Sequence, residues 1–266
     1  MKVLYYRNKD KDVEKKYSTI LIKSFEKYGI EFSELFDDDI EKRVSASALF
    51  VIGGDGTILD LCSFSCLNNI PIIGINAGKV GFLTEFECTE IETAVSLFSQ
   101  SALVTDLRTA LGVTFNDKSY IALNEIVIQR VYTQNLSAHI INLDVKINGS
   151  YVDKIVGDGV IVCTPTGSTA YSLSSNGAIL APGINAFSIT PICAHSLHHR
   201  PIIYSAESVC EVDIKKNCSP GVFIDGRFIS LVSENEKIII SKSKDSVVFL
   251  RRNSWNFFDK LMKKLN

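Results

Sequence analysis

Short apolar runs alternate with helical stripes along the first hundred residues. Val3 to Tyr6 is an apolar run suited to a buried strand. Val13, Tyr17, Ile20, Leu21, Ser24 and Tyr28 then recur at helical spacing, and Gly29 ends that stripe. Ile30 to Phe32 predicts a second strand and Asp37-Asp38-Asp39 an acidic loop. Leu49 to Ile52 is a β-prone run that halts at Gly53, and Ile70 to Ile75 reads as another strand. Ile91, Ala94, Val95 and Phe98 give one more helical face. Such alternation predicts a parallel sheet covered by helices.

After Leu103 the texture changes. Leu111 to Phe115, Tyr120 to Gln129, Ile140 to Ile147, Ile155 to Cys163, Val209 to Ile214, Lys237 to Ile240 and Val247 to Leu250 all read as strands. Asn148-Gly149 is a hairpin signal between two of them. Helical spacing returns only with Trp255, Phe258, Leu261, Met262 and Leu265. The predicted architecture is an α/β domain with a Rossmann-like parallel sheet over residues 1–103, followed by a β-rich, sandwich-like domain over 104–253. The last helix, 254–266, is expected to pack back on the first domain.

Composition narrows the class. The 266 residues are 46% hydrophobic and 22% charged, which excludes a disordered or low-complexity chain. Lys plus Arg is 28 against 30 for Asp plus Glu, a net charge of −2, so no cationic field favours nucleic acid or an anionic membrane. No run approaches the roughly 18 apolar residues of a spanning helix. The N-terminus turns polar too soon for a signal peptide. Seven scattered cysteines without a CxxC pair fit free thiols in the cytoplasm.

The candidate chemistry lies in three segments. Gly53-Gly54-Asp55-Gly56-Thr57 follows a strand and precedes a helix expected from Ile58. Its glycines permit positive φ and close backbone approach, and its amides beside a helix start suit an anion. Asp55 would repel a phosphate, which makes sense where it meets a divalent metal or takes a proton from an attacking hydroxyl. The plain alternative is a tight turn whose Asp caps the helix. The loop is neither a Walker motif nor a dinucleotide GxGxxG. In the segment 157–172, Thr164, Thr166, Ser168, Thr169 and Tyr171 offer five hydroxyls for a polar ligand, with the Tyr171 ring available to a base. A Ser/Thr-rich turn and helix cap would show the same composition. Asn124-Glu125 interrupts an apolar run, either as a solvated bulge or as an amide and carboxylate able to grip vicinal ribose hydroxyls.

Together these segments resemble the NAD kinase family. The resemblance rests on GGDGT at 53–57, INAGKVGFL at 75–83, NE at 124–125, GDGVIVCTPTGSTAYSLS at 157–174 and TPICAHSLHHRPII at 190–203. GGDGT alone is shared with lipid kinases and 6-phosphofructokinases; the ordered set is specific. It implies phosphorylation of the adenosine-ribose 2′-hydroxyl of NAD, with ATP or another phosphoryl donor, a divalent cation such as Mg2+, a site between two domains, and a homodimer or homotetramer. By resemblance Asp55 is the proton acceptor and Gly56 part of the NAD site, while Gly53, Gly54, Gly56 and Thr57 form the phosphate loop. Asn124 and Glu125 bind ribose hydroxyls; Asp158, Thr166, Thr169, Ala170, Tyr171 and Ser174 hold the adenine and nicotinamide ends. The chain departs from the family pattern at Ser174-Ser175-Asn176-Gly177-Ala178, Val156, Ala194 and Arg227, the last within Asp225-Gly226-Arg227.

Other features carry structural readings. His195, His198 and His199 lack a nearby carboxylate in sequence, Cys62 and Cys66 read as buried, Trp255 with Phe257 and Phe258 as core, and Lys263-Lys264 as a charged helix end. The competing functions are a lipid or sugar kinase sharing the GGDGT loop, and a non-catalytic NAD-sensing module.

Overall fold

The computed structural model describes residues 1–39, 42–78, 81–131, 140–195, 198–215 and 219–265. The chain divides into two units, Met1–Arg108 with Val247–Asn266, and Thr109–Ser246.

The first unit runs β1 (Lys2–Arg7), α1 (Lys16–Lys27), β2 (Glu31–Glu34), β3 (Leu49–Gly53), α2 (Asp55–Asn68), β4 (Ile72–Asn76), β5 (Phe86–Glu87), α3 (Ile91–Ser99) and β6 (Val104–Arg108). The second holds β7 (Leu111–Phe115), β8 (Lys118–Ala122), β9 (Glu125–Gln129), β10 (Ile141–Ile147), β11 (Ser150–Gly157), β12 (Gly159–Cys163), α4 (Tyr171–Ser174), β13 (Ala186–Ile192), β14 (Ile202–Ser205), β15 (Cys210–Ile214), β16 (Gly221–Ile224), β17 (Arg227–Leu231) and β18 (Lys237–Lys242). The chain then returns to the first unit as β19 (Val247–Arg251) and α5 (Phe257–Leu265).

The first sheet has the order β2-β1-β3-β4-β19-β6, with β5 on β4. Its pairs are parallel except β19–β6. Alternation along β3 sends Phe50 and Ile52 into one core with Leu21 and Phe25 of α1 and with Val95 and Phe98 of α3. Rings meet there at 5.0 Å (Phe25–Phe50) and 5.4 Å (Phe50–Phe98). α2 packs against β3 and β19, and Gly74 leaves room for it, since a Cβ there would stand 2.7 Å from Ile58 Cδ1. Val13 lies outside the helical stripe, 76% exposed, because α1 starts only at Lys16. The buried Asp12 carboxylate instead takes the Tyr17 and Ser18 amides of that first turn, at 2.8 and 3.0 Å.

The second unit is a sandwich of two antiparallel sheets, β11-β10-β15-β18-β7-β8 and β14-β13-β12-β9-β16-β17, whose facing apolar residues form one core. Two predicted strands are broken. Tyr120–Gln129 divides into β8 and β9, and Ile155–Cys163 into β11 and β12, each pair split between the two sheets. The crossings fall at Leu123-Asn124 and at Asp158. The apolar run hides them because β9 and β12 are buried on both faces; Val127, Ile161, Cys163 and Ile192 form a second cluster behind the main core. The Asn148-Gly149 hairpin is present, with φ of 50° and 78°.

Helix α5 packs back on the first unit as expected: Phe257 meets Phe82 at 6.3 Å, and Lys260 Nζ donates to the carbonyls of Thr84 and Gly81 at 2.7 and 3.3 Å. The first unit extends to Arg108 and takes the chain back from Val247, beyond the expected bounds of 103 and 254. The ladder joining Val104–Arg108 to Val247–Arg251 carries β6 and β19 into the first sheet. Arg251, fully buried, reinforces it by donating to Asp106 at 2.6 Å.

Candidate functional site

In the first unit the site grows out of the end of β3. Gly54 is extended, at φ −118° and ψ −170°, and α2 starts at Asp55 rather than near Ile58. The Asp55 carboxylate does not cap that helix. Its Oδ2 accepts the Phe82 N–H at 2.8 Å and its Oδ1 the Leu83 N–H at 2.9 Å. Two amides in series hold it in one orientation and leave lone pairs for a further donor. Lys264 Nζ stands 3.6 Å from Oδ2 and 4.7 Å from the Phe82 ring centre, so the helix end read as plain charge reaches the carboxylate. Burial pulls the pKa of Lys260 down, against the pull of Glu85.

The glycines work through space rather than through positive φ, which Gly53, Gly54 and Gly56 do not adopt. A Cβ on Gly53 would stand 2.5 Å from Thr57 Oγ1, an atom that itself accepts from Asn8 Nδ2 at 3.0 Å. A Cβ on Gly54 or Gly56 would meet nothing within 4 Å, so the backbone there is open to a ligand. The first N–H groups of α2 have no partner within their own helix, which suits phosphate oxygens. Gly81 is the tightest glycine of the first unit, because its Cβ would fall 2.2 Å from Asp55 Oδ1.

In the second unit both sheet crossings carry predicted residues. Asn124 and Glu125 are buried at the β8–β9 corner, where the Asp225 carboxylate accepts the N–H groups of Leu123, Asn124 and Glu125. The Thr164 hydroxyl donates to Leu123 O at 2.6 Å, and the Thr164 N–H to Asn124 O at 2.9 Å. Glu125 Oε2 is buried without a hydrogen-bond partner. Burial first, then the neighbouring Asp225 charge, pushes the Glu125 carboxyl up to about 8. At the other crossing Asp158 pairs with Arg130, at 3.0 Å from Nη2.

The hydroxyl-rich segment divides. Thr164 and Ser168 are fully buried and tie the turn to itself, Ser168 Oγ donating to Pro165 O at 2.6 Å and accepting from Leu180 N at 2.9 Å. Thr169 Oγ1 donates to Thr166 O at 3.2 Å. Tyr171 and Ser174 instead line a cavity of about 610 Å³ together with Asn176, Cys193, His199 and Arg200. The structure thus brings Tyr171 and Ser174 to one cavity, places Asn124 and Glu125 at one corner and Asp158 at the other crossing, and sets Thr166, Thr169 and Ala170 in the turn leading to α4.

Asp225, Arg130 and the Phe82–Leu83 amides are contributors to which the residue patterns gave no role, although Phe82-Leu83 closes the INAGKVGFL motif and Asp225 stands in Asp225-Gly226-Arg227. His199 Nδ1 lies 2.9 Å from Asp153 Oδ2, and no group of three or more metal-ligating side chains occurs among the described residues. Cys62 and Cys66 are buried. The aromatic group near the C-terminus is not uniformly core: Phe257 is buried, Phe258 is 62% exposed, and the Trp255 ring packs against the Arg251 and Arg108 guanidiniums at 4.6 and 5.0 Å.

The family model for the ATP-NAD kinase N-terminal domain matches residues 6–102, and that for the C-terminal domain matches residues 123–252. An NAD kinase from Acetivibrio thermocellus is 34% identical, over 100% of this chain and 97% of that protein. One from Methanothermobacter thermautotrophicus is 34% identical, over 86% of this chain and 80% of its own. Among solved structures, an Archaeoglobus fulgidus NAD kinase in complex with ATP superposes with a TM-score of 0.80 at 26% identity, covering 100% of this chain and 98% of that one. Yeast NADH kinase complexed with NADH shares the fold, with a TM-score of 0.82 at 24% identity, covering 100% and 87%. With both halves matched in order, the chain belongs to the NAD kinase family.

Proposed function

We propose that the protein is an NAD kinase that transfers the γ-phosphoryl group of ATP to the 2′-hydroxyl of the adenosine ribose of NAD, giving NADP and ADP. The observation that carries this is Asp55, a carboxylate fixed by two backbone amides at the start of α2, with open backbone at Gly54 and Gly56 beside it. Phosphoryl transfer asks the protein for position and charge more than for covalent chemistry. The 2′-oxygen attacks the γ-phosphorus, the bond to the β–γ bridging oxygen breaks, and Asp55 takes the hydroxyl proton. The second unit supplies the ribose grip: Glu125 Oε2, a buried acceptor lacking a donor, suits a ribose hydroxyl, and Asn124 adds an amide. Tyr171 and Ser174 line a cavity able to take a base, with Asp158, Thr166, Thr169 and Ala170 assigned to the same dinucleotide.

An Mg2+ ion is expected to be carried largely by the nucleotide phosphates. That ion would neutralise charge developing on the transferred group. No described helix is long and apolar enough to cross a membrane. A cytoplasmic homodimer or homotetramer completes the proposal, checked by fractionation and light scattering. The sensing module and the lipid or sugar kinase gain nothing from relatives that carry the NAD kinase name.

The test is incubation of pure protein with NAD, ATP and MgCl2, reading NADP with an NADP-specific dehydrogenase beside an Asp55→Asn control. The variant should be slower by about 10²-fold or more. Equal rates would overturn the role of Asp55. No NADP with either ATP or polyphosphate would overturn the activity.

A further inference from the structure

The hairpin between β16 and β17 carries an aspartate that its turn does not require. Asp225 and Gly226 stand at φ 48° and 82°, the two left-handed positions of a type I′ turn, which Asn-Gly fills as well as Asp-Gly. Yet the Asp225 carboxylate bonds to a segment 100–102 residues earlier: Oδ2 accepts Leu123 N–H at 2.8 Å, and Oδ1 accepts Asn124 and Glu125 N–H at 2.7 and 3.1 Å. The Asp225 N–H returns a bond to Glu125 O at 3.0 Å. Leu123 and Asn124 lie at the crossing between sheets, outside both ladders, so their amides depend on a side chain.

We propose that Asp225 is a positioning residue for the ribose end of NAD, its carboxylate fixing the Asn124–Glu125 corner through three amides and setting the electrostatics at the Glu125 carboxyl. The inference rests on the reading of Asn124 and Glu125 as the ribose-binding pair. The titratable groups facing Glu125 are Asp225, Cys163 across the β9–β12 ladder and Tyr171 of α4, while Arg227 acts on Asp225. Burial raises Asp225 to about 6 despite its three amides, and burial with the Asp225 charge raises Glu125 to about 8. Between those values the negative charge sits on Asp225 and the proton on Glu125. A ribose hydroxyl donates best to an ionised carboxylate, so NAD affinity should rise with pH as Glu125 loses its proton. Removing the Asp225 charge should bring that rise to lower pH.

Asp225→Asn separates turn from charge: it keeps the turn and the Oδ1 acceptor, but sets an amide against the Leu123 N–H. KM for NAD and for ATP, kcat, and direct NAD binding would be measured from pH 5.5 to 9 for wild type, Asp225→Asn, Asp225→Ala and Glu125→Gln, with thermal melts to establish folding. We expect KM for NAD to rise about tenfold in Asp225→Ala, the loss of a charge-assisted hydrogen bond. KM for ATP should be unchanged and kcat should stay within a few fold. In Asp225→Asn the pH midpoint of NAD binding should move down, and in Glu125→Gln the pH dependence should vanish. Weakened NAD binding in Glu125→Gln with an unmoved KM and midpoint in Asp225→Asn would overturn this inference alone. Unchanged NAD binding in Glu125→Gln would overturn the ribose-pair reading, and the inference with it.

Discussion

Gly81→Ala separates holding Asp55 from holding the fold. The new Cβ would lie 2.2 Å from Asp55 Oδ1 and 2.9 Å from both Asp55 Cγ and Thr84 Oγ1. To reach an ordinary 3.4 Å contact the carboxylate oxygen must retreat about 1.2 Å. That retreat takes Oδ1 out of reach of the Leu83 N–H, now at 2.9 Å. The obstructing atoms belong to side chains that rotate, so the fold gives way cheaply. The lost bond, on a partly exposed carboxylate, costs about 1–2 kcal/mol, or roughly 3 °C of melting temperature per kcal/mol. Catalysis is less tolerant, because a misplacement near 1 Å costs on the order of 10²-fold. The assay is kcat for NADP formation beside a thermal melt, with Gly78→Ala as control, since the nearest atom to a Cβ there is Lys11 Nζ at 3.9 Å. A large fall in kcat with a small fall in melting temperature, and a silent control, is the expected result. A Gly81→Ala enzyme with kcat within threefold of wild type would refute the claim that the two amides set the working position of Asp55.

Gly167→Ala drives a Cβ to 2.1 Å from Asn124 O, a backbone atom that cannot rotate away, so it should cost about 1–3 kcal/mol by denaturant melt and raise KM for NAD as well. Gly56→Ala meets nothing within 4 Å, so its melting temperature should hold or rise slightly while NADP formation falls, because the added methyl occupies space left for ligand. The folded value of Glu125, about 8, lies above the ordinary 4.5, so its contribution to stability is complete below about pH 4.5 and lost as pH rises through about 8. Glu125→Gln should therefore melt higher than wild type at pH 8.5, by an amount on the order of a few kcal/mol, and gain little at pH 4.5. Arg251→Leu removes a fully buried guanidinium, leaving Asp106 to Arg108 at 2.8 Å and Glu85 to Arg252 at 4.0 Å, and should cost about 1–3 kcal/mol in a chemical denaturation experiment.

The parts of this molecule that sequence reveals are those with a local signature. Asp55 is legible because it stands among glycines between a strand and a helix; the segment ending in Phe82-Leu83 is legible as a motif, but its role is not, since Phe82 and Leu83 act through backbone amides. Likewise Asp225-Gly226 announces a hairpin, whereas its hold on residues 123–125 spans a separation that no periodicity records. The missed breaks at Leu123-Asn124 and Asp158 share one cause. Strands buried on both faces lose the alternation that marks a strand's sides, so an apolar run passes unmarked from one sheet to the other. What marks the crossing is its polar residues, and their presence has a physical reason. A chain leaving one ladder for another strips its amides of partners for a residue or two, and buried amides need acceptors. Asp225 meets that need at Leu123 and Asn124; at the other crossing the Ile192 carbonyl accepts the Asp158 N–H at 3.0 Å, and the Asp158 side chain is left to pair with Arg130. Polar groups required to turn a buried chain thus stand where the ladders end, and there Glu125 keeps one oxygen that the fold does not use. A ligand hydroxyl can take it.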